Sequence, residues 1–310
     1  MSNVINAAVA VLVREDGQVL LAQRPEGKPW AGWWEFPGGK MEEGETALES
    51  LQRELQEELG TQAIDAYPWV TRTFAYPEKT VKLHFFIVRS WLEEPYGREG
   101  QLLSWQVPDQ LNVSPMLPAN EPILAALSLP SIYAITNLAE AGESQFFDQL
   151  ERALKSGLRL IQVREKQLSQ PALKDFAKQV LAVAHLHCAR VLLNDDIDLA
   201  LELGADGVHL SSRHLMQLTE KPQGLLCAAS CHNATELEHA QTLALDFALL
   251  SPVQPTLSHA DAQPLGWQQF SHVIKDCAIP VYALGGLQAN DLIHAWQSGA
   301  HGIAMQRGAW

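Results

Sequence analysis

Residues 33–61 read WWEFPGGKMEEGETALESLQRELQEELGT, and the spacing inside this stretch decides how the first part of the chain folds. Five residues separate Gly39 from Glu45, seven separate Glu45 from Arg53, and Glu54, Leu55, Glu57, Glu58 and Gly60 follow. Residues 46–59 contain no proline or glycine, so the pattern predicts a helix entered from a glycine-rich turn and stopped at Gly60. At about 100° per residue, Leu48, Leu51 and Leu55 share one stripe, and Glu54, Glu57 and Glu58 crowd an arc beside it. Three carboxylates on one face repel one another. A hard divalent cation with oxygen ligands removes that cost and keeps positions open for waters and phosphate oxygens. A solvated acidic face is the other reading of the same residues.

The pattern G-x5-E-x7-R-E-U-x-E-E-x-G, with U an aliphatic residue, resembles the Nudix box, and WEFPGGK at residues 34–40 narrows the resemblance to MutT-type enzymes. The resemblance covers residues 1 to about 128. It implies that Gly39, Glu54, Glu57 and Glu58 hold Mg²⁺ or Mn²⁺, joined by Glu99 from YGREGQ at residues 96–101. One carboxylate would take the proton of the attacking water, with Glu54 the first choice and Glu99 the second. Arg53 is expected to orient Glu54 or Glu57 through a bidentate pair. Arg24, Phe36, Tyr76 and Lys79 fall where the family places nucleotide contacts. Asn120, inside PANEP at residues 118–122, matches the asparagine that reads the oxidised purine. An Asn amide sets a donor and an acceptor side by side, which suits a purine edge. Structural alternatives stand beside these: Asn120 as a helix N-cap, Phe36 and Tyr76 as core aromatics, Arg24 as a solvated strand end. Thr61 stands where the box usually has an aliphatic residue, beyond the ligands, so a packing change is expected there.

The implied activity is metal-assisted substitution at phosphorus. An 8-oxo-dGTP-like substrate would give the nucleoside monophosphate and pyrophosphate, clearing mutagenic precursors from the nucleotide pool. Hydrolysis of a thiamin-type diphosphate is the competing reading.

The 310 residues suggest two domains, 1–129 and 130–310. A hydrophobic content of 47% with 19% charged residues is that of a globular protein. The net charge of −14, shared between both parts, argues against direct binding to DNA or to an anionic membrane. Cys188, Cys227, Cys231 and Cys277 form no ligand-spaced set, so a zinc site is not expected. Without an export signal or a long apolar run, the expectation is a cytoplasmic protein. In the first part, apolar runs at residues 4–13 and 19–22 flank Asp16 and Gly17 and predict a hairpin. Strands are expected at residues 69–75 and 81–91, and a short helix at 123–127. Together these describe an α+β fold, the α/β/α sandwich with a mixed sheet of the Nudix enzymes.

After the short joint at residues 128–131, eight apolar runs alternate with helix-forming stretches such as residues 171–187 and 234–245. The runs lie at residues 132–136, 158–164, 191–194, 207–210, 225–230, 247–251, 280–284 and 302–305. This argues for an α/β TIM-type (β/α)₈ barrel whose eighth helix is missing or vestigial. The region resembles the thiamin-phosphate synthase/TenI family. The matches are QVREK with Gln162, Arg164 and Lys166, LND with Asn194 and Asp195, GADGVHL at residues 204–210, and SCH with Ser230 and His232. SPVQPT ending at Thr256 resembles its phosphate loop, and Gly285 and Gly286 follow the seventh run, where barrels commonly cradle phosphate. The resemblance implies a thiazole or thiamin phosphate as ligand. Two departures weaken the synthase reading. The family's Gly-Gln-x-Asp, whose Asp binds Mg²⁺, is replaced by Ser211-Ser212-Arg213-His214, and its Thr-Lys by Ser258-His259. Three roles stay open for the barrel: a scaffold or regulatory phosphate-ligand module, a metal-free tautomerase with His232 as acid/base, and a synthase.

Overall fold

The computed structural model describes residues 4–76, 79–256 and 263–310, except for the side chain of Tyr76. Its first helix, α1, runs Ala47–Leu59. Thr46 caps it: the hydroxyl accepts from Glu49 N–H, and the Glu49 carboxylate accepts from Thr46 N–H in return. Gly60 ends the helix at φ 64°, and a Cβ there would meet the Tyr96 ring at 2.5 Å, so only glycine suits both the turn and the packing. Leu51, Leu55 and Leu59 are buried with Ala8, Ala10 and Leu12 of strand β1 (Val4–Leu12). Leu48, expected on the same stripe, is 46% exposed because burial along the helix begins only at Ser50. Thr61 is buried, and its hydroxyl accepts from Glu93 N–H at 3.4 Å.

The remaining strands of this unit are β2 (Val19–Gln23), β3 (Trp34–Glu35), β4 (Gly38–Lys40), β5 (Ala63–Tyr76), β6 (Lys79–Trp91) and β7 (Leu103–Gln106). One sheet has the order β4-β1-β6-β5, in which β1 runs antiparallel to β4 and parallel to β6. The order β3-β2-β7 forms a second sheet. On the face of β1 away from α1, Val9 and Val11 pack with Trp34, Phe36, Phe85 and Ile87. Ile123 and Leu124 of helix α2 (Glu121–Leu127) complete this cluster. Burial on both faces explains why β1 reads as one apolar run. The expected hairpin does not form. Val13 and Val19 make a single antiparallel bridge, and the two strands then enter different sheets, β1 between β4 and β6 and β2 between β3 and β7.

Contacts divide the chain into two compact units, Met1–Leu129 and Pro130–Trp310. The second is a closed barrel of eight parallel strands: β8 (Ile132–Ile135), β9 (Leu160–Val163), β10 (Arg190–Asn194), β11 (Gly207–Leu210), β12 (Leu226–Cys231), β13 (Phe247–Leu250), β14 (Val281–Leu284) and β15 (Gly302–Met305). Helices such as Glu143–Lys155, Gln170–His185 and Ala234–Thr242 follow the strands, and a 3-10 turn, Arg307–Ala309, follows β15. Among the described residues no helix is long and apolar enough to cross a membrane.

Side chains alternate along each barrel strand. Ile161, Val163, Val191 and Leu193 join Phe146, Leu150 and Phe176 from the helices. The alternate set fills the lumen. Tyr133, Phe247 and Tyr282 meet there with ring centroids 5.2–5.9 Å apart, and His209 lies 5.7 Å from Tyr133. His209 is 1% exposed; its Nδ1 pairs with the Tyr133 hydroxyl at 3.1 Å and its Nε2 with Ser230 Oγ at 2.9 Å. Burial, assisted by the Arg164 charge, pushes its pKa down to about 3. The imidazole is therefore neutral in the folded barrel, whereas the unfolded chain binds its proton near pH 6.5. Stability from this group is complete above about pH 6.5 and falls as pH drops towards 3, by at most ~1.4 kcal/mol per pH unit. Denaturant unfolding at pH 7 and pH 5 is expected to show this loss in the wild type and a flatter dependence in His209→Gln.

Candidate functional sites

In the first unit the glycine-rich turn, α1 and the loop after β2 enclose a cavity of about 510 Å³. Arg24, Phe36, Gly39, Glu54, Glu58, Lys79, Glu99 and Asn120 all line it. Glu57 does not; 58% of its side chain is exposed. The side chain of Tyr76 lies outside the described residues.

Arg53 organises the acidic side. Its Nε and Nη2 donate to the two oxygens of Glu45 at 2.8 and 3.0 Å, and Nη2 also reaches the Lys40 carbonyl at 2.9 Å. Nη1 donates to Glu54 at 2.9 Å and to Glu57 at 3.2 Å. The bidentate partner is thus Glu45, not Glu54 or Glu57 as expected, because the loop folds back and brings Glu45 flat against the guanidinium. These bonds hold the Glu45 carboxyl down at about 2 and raise the Arg53 pKa further.

Glu54 and Glu58 show the opposite behaviour. Burial raises the Glu54 pKa against the pull of Arg53. Burial, with Glu54 and Glu35 nearby, pushes Glu58 up to about 7, although Gly38 N–H donates to it at 3.3 Å. A Cβ on Gly39 would stand 2.3 Å from the Glu54 carboxyl, so the turn approaches that carboxylate as closely as backbone can. Desolvated carboxylates beside backbone oxygens fit a hard divalent cation. Among the described residues no three of His, Cys, Asp and Glu are gathered into a ready cage; Arg53 is bonded to Glu54 and Glu57, and Lys28 to Glu99.

Two partnerships here are absent from the sequence reading. Arg24 Nη1 reaches both oxygens of the mostly buried Glu35 at 2.5 and 2.6 Å, and its Nε donates to the Pro29 carbonyl at 2.7 Å. Burial raises the Glu35 pKa, with Arg24 opposing. Lys28 pairs with Glu99, which raises the lysine pKa. Asn120 begins α2, but its side chain makes no capping bond and is 5% exposed at the cavity wall.

The mouth of the barrel holds a second cavity of about 440 Å³ at the C-terminal ends of the strands. Gln162, Arg164, Lys166, Asn194, Asp195, Ser230, His232, Thr256, Gly285 and Gly286 all line it. Gln162 Nε2 donates to Asn194 Oδ1 at 3.0 Å. Burial lowers the Arg164 pKa, and the neighbouring Arg164 charge lowers that of Lys166. His232 Nδ1 lies 3.0 Å from the Ser251 carbonyl, an acceptor only, so Nδ1 carries the proton and Nε2 is left as a base. A Cβ on Gly286 would stand 2.4 Å from the Pro255 carbonyl, which requires glycine there. Asp195 Oδ1 accepts from Ser211 N–H at 2.6 Å and lies 3.4 Å from His214 Nδ1. An imidazole against the remaining carboxylate does not fit a Mg²⁺ site. Ser258 and His259 lie outside the described residues.

Residues 132–309 match the family described as thiamine monophosphate synthase, and residues 4–127 match the NUDIX domain. The chain belongs to the thiamine monophosphate synthase family through its barrel and carries a Nudix hydrolase domain ahead of it. It is 37% identical to the putative thiamine-phosphate synthase 2 of Aquifex aeolicus over 180 residues, 57% of this chain and 96% of that one. It is 40% identical to the 8-oxo-dGTP diphosphatase of Haemophilus influenzae over 124 residues, 40% of this chain and 91% of that one. With the 8-oxo-dGTP diphosphatase of Escherichia coli the identity is 35% over 123 residues, 40% and 95% of the two chains. The first unit is thus a hydrolase acting on phosphoric anhydrides, of a class that depends on divalent cations.

Gly39→Ala is expected to push the Glu54 carboxylate off the turn. Hydrolysis should fall at least about tenfold while the far-ultraviolet circular dichroism stays that of the wild type, since the backbone at Gly39 has no positive φ to lose.

Proposed function

We propose that the first unit hydrolyses oxidised purine nucleoside triphosphates of the 8-oxo-dGTP type to the monophosphate and pyrophosphate, removing a mutagenic precursor before DNA synthesis. Asn120 carries this reading. It occupies a capping position without capping, and its amide lines the same cavity as Glu54 and Glu58. A buried amide offering both donor and acceptor suits a purine edge, and Phe36 adds an apolar side chain to the lining of the same cavity. The two similar diphosphatases point the same way.

Glu54, Glu57, Glu58 and the Gly39 backbone would hold Mg²⁺ or Mn²⁺, which supplies charge to the phosphate oxygens and acidifies the attacking water. Glu54 accepts that water's proton. Its half-buried site keeps the carboxyl basic, and the single bond from Arg53 fixes its direction. Arg53 itself stays on the protein, since Glu45 and the Lys40 carbonyl occupy it. Arg24, held by Glu35, and Lys79 line the same cavity and would contribute positive charge towards the nucleotide.

The test is pyrophosphate release by the full chain with Mg²⁺, comparing 8-oxo-dGTP, dGTP and thiamin diphosphate at low concentration. A strong preference for 8-oxo-dGTP is expected. Glu54→Gln should lower turnover by roughly 10²–10⁴, and Asn120→Ala should reduce the preference by about tenfold, in the range of a lost bidentate base contact. Turnover of thiamin diphosphate with indifference to 8-oxo-dGTP would overturn the reading.

For the barrel, the His214–Asp195 pair favours a module that binds a thiazole or thiamin monophosphate without a metal, through Arg164, Lys166 and the Gly285–Gly286 turn. Calorimetric titration of the full chain with thiamin monophosphate should give the same affinity in EDTA as in Mg²⁺, and Lys166→Ala should weaken it. A requirement for Mg²⁺ would restore the synthase reading.

A further inference from the structure

The loop between β2 and β3 carries Lys28, whose Nζ lies 2.5 Å from Glu99 Oε2 with a little under half of each side chain exposed. Glu58 is also within electrostatic reach of this ammonium, and all three groups line the cavity that holds Glu54. Lys28 and Glu99 both sit outside regular helix and strand, so the pair joins two loops. A monovalent ammonium therefore rests on one of the carboxylates that a divalent cation would draw on.

Glu99 cannot serve an ammonium and a doubly charged cation at full strength together. The ammonium is compact, and its four-carbon stem lets it move several ångströms without moving backbone. A polyphosphate chain entering the same cavity offers it new anionic oxygens. We propose that Lys28 is the resident counter-cation of Glu99 and is exchanged on loading. Glu99 passes to the divalent cation, and Lys28 passes to the polyphosphate chain of the substrate. Cation and polyphosphate then bind cooperatively, because each removes a competitor of the other. This inference rests on the divalent-cation reading of the cavity given above.

The experiment uses the full chain, with Mn²⁺ as the cation followed by electron paramagnetic resonance and inorganic tripolyphosphate as the polyphosphate. In Lys28→Met, Mn²⁺ alone should bind about two- to fivefold tighter, the range expected for a half-exposed ion pair. Tripolyphosphate, in the presence of Mn²⁺, should bind that variant about two- to fivefold weaker. Lys28→Arg should stay close to the wild type on both measurements. Opposite shifts separate exchange from misfolding, which would weaken both. Two unchanged affinities, or two shifts in the same direction, would overturn the inference. Glu54→Gln distinguishes the underlying reading: if it leaves Mn²⁺ binding intact, the cation site itself is wrong and the inference falls with it. If it weakens Mn²⁺ binding while Lys28→Met is silent, only the exchange is wrong.

Discussion

The guanidinium of Arg53 donates to Glu45, Glu54 and Glu57 as well as to the Lys40 carbonyl, so one side chain fastens the glycine-rich turn to α1. Without it the turn would lose its anchor, and three carboxylates would face one another at helix spacing. A planar fork with donors on two edges is the only side chain that can bind one carboxylate bidentately and still reach two more. Lysine at this position could neutralise charge but could not hold the loop in register with the helix.

That arrangement also sorts the carboxylates by environment. Glu45, bonded along its whole edge, stays ionised under all working conditions and behaves as a fixed structural anion. Glu54 and Glu58 are desolvated, which raises their pKa values and their affinity for protons. The division follows from environment alone, since the residue type is the same. Lys28 and Arg24 complete the cavity by placing positive charge on the loop opposite the acidic helix, each tethered to a glutamate.

Features set by neighbouring residues were legible in the sequence. The helix follows the glycine-rich turn, Gly60 takes the left-handed stop, and the glycine–glutamate spacing puts Glu54 and Glu58 beside Gly39 and Gly38. The barrel's strands were legible because each is a short apolar run bounded by turns. Partnerships made across long separations were not. The parallel pairing of β1 with β6 and the Lys28–Glu99 bond, 71 residues apart, depend on how sheets and loops assemble. The bidentate choice of Glu45 over Glu54 was hidden for a related reason: it follows from the path of the turn, which helical periodicity does not describe.

The barrel separates stability from ligand binding along its axis. Tyr133, Phe247, Tyr282 and neutral His209 pack together in the lumen, each buried. The next layer, with Gln162, Asn194 and Ser230, opens to the mouth. Ser230 belongs to both layers, since its hydroxyl bonds His209 from the rim of the cavity. A change at the mouth that spares Ser230 and Arg164 leaves the contacts of His209 as they are. His214, at a position where the resemblance implies a carboxylate, is one such residue. It leaves Asp195 held by Ser211 N–H and an imidazole, while Lys166, Arg164 and the Gly285–Gly286 turn keep the cavity suited to an anion. The strand framework tolerates this because His214 lies on the short helix Ser212–Leu215, beyond the barrel hydrogen bonds.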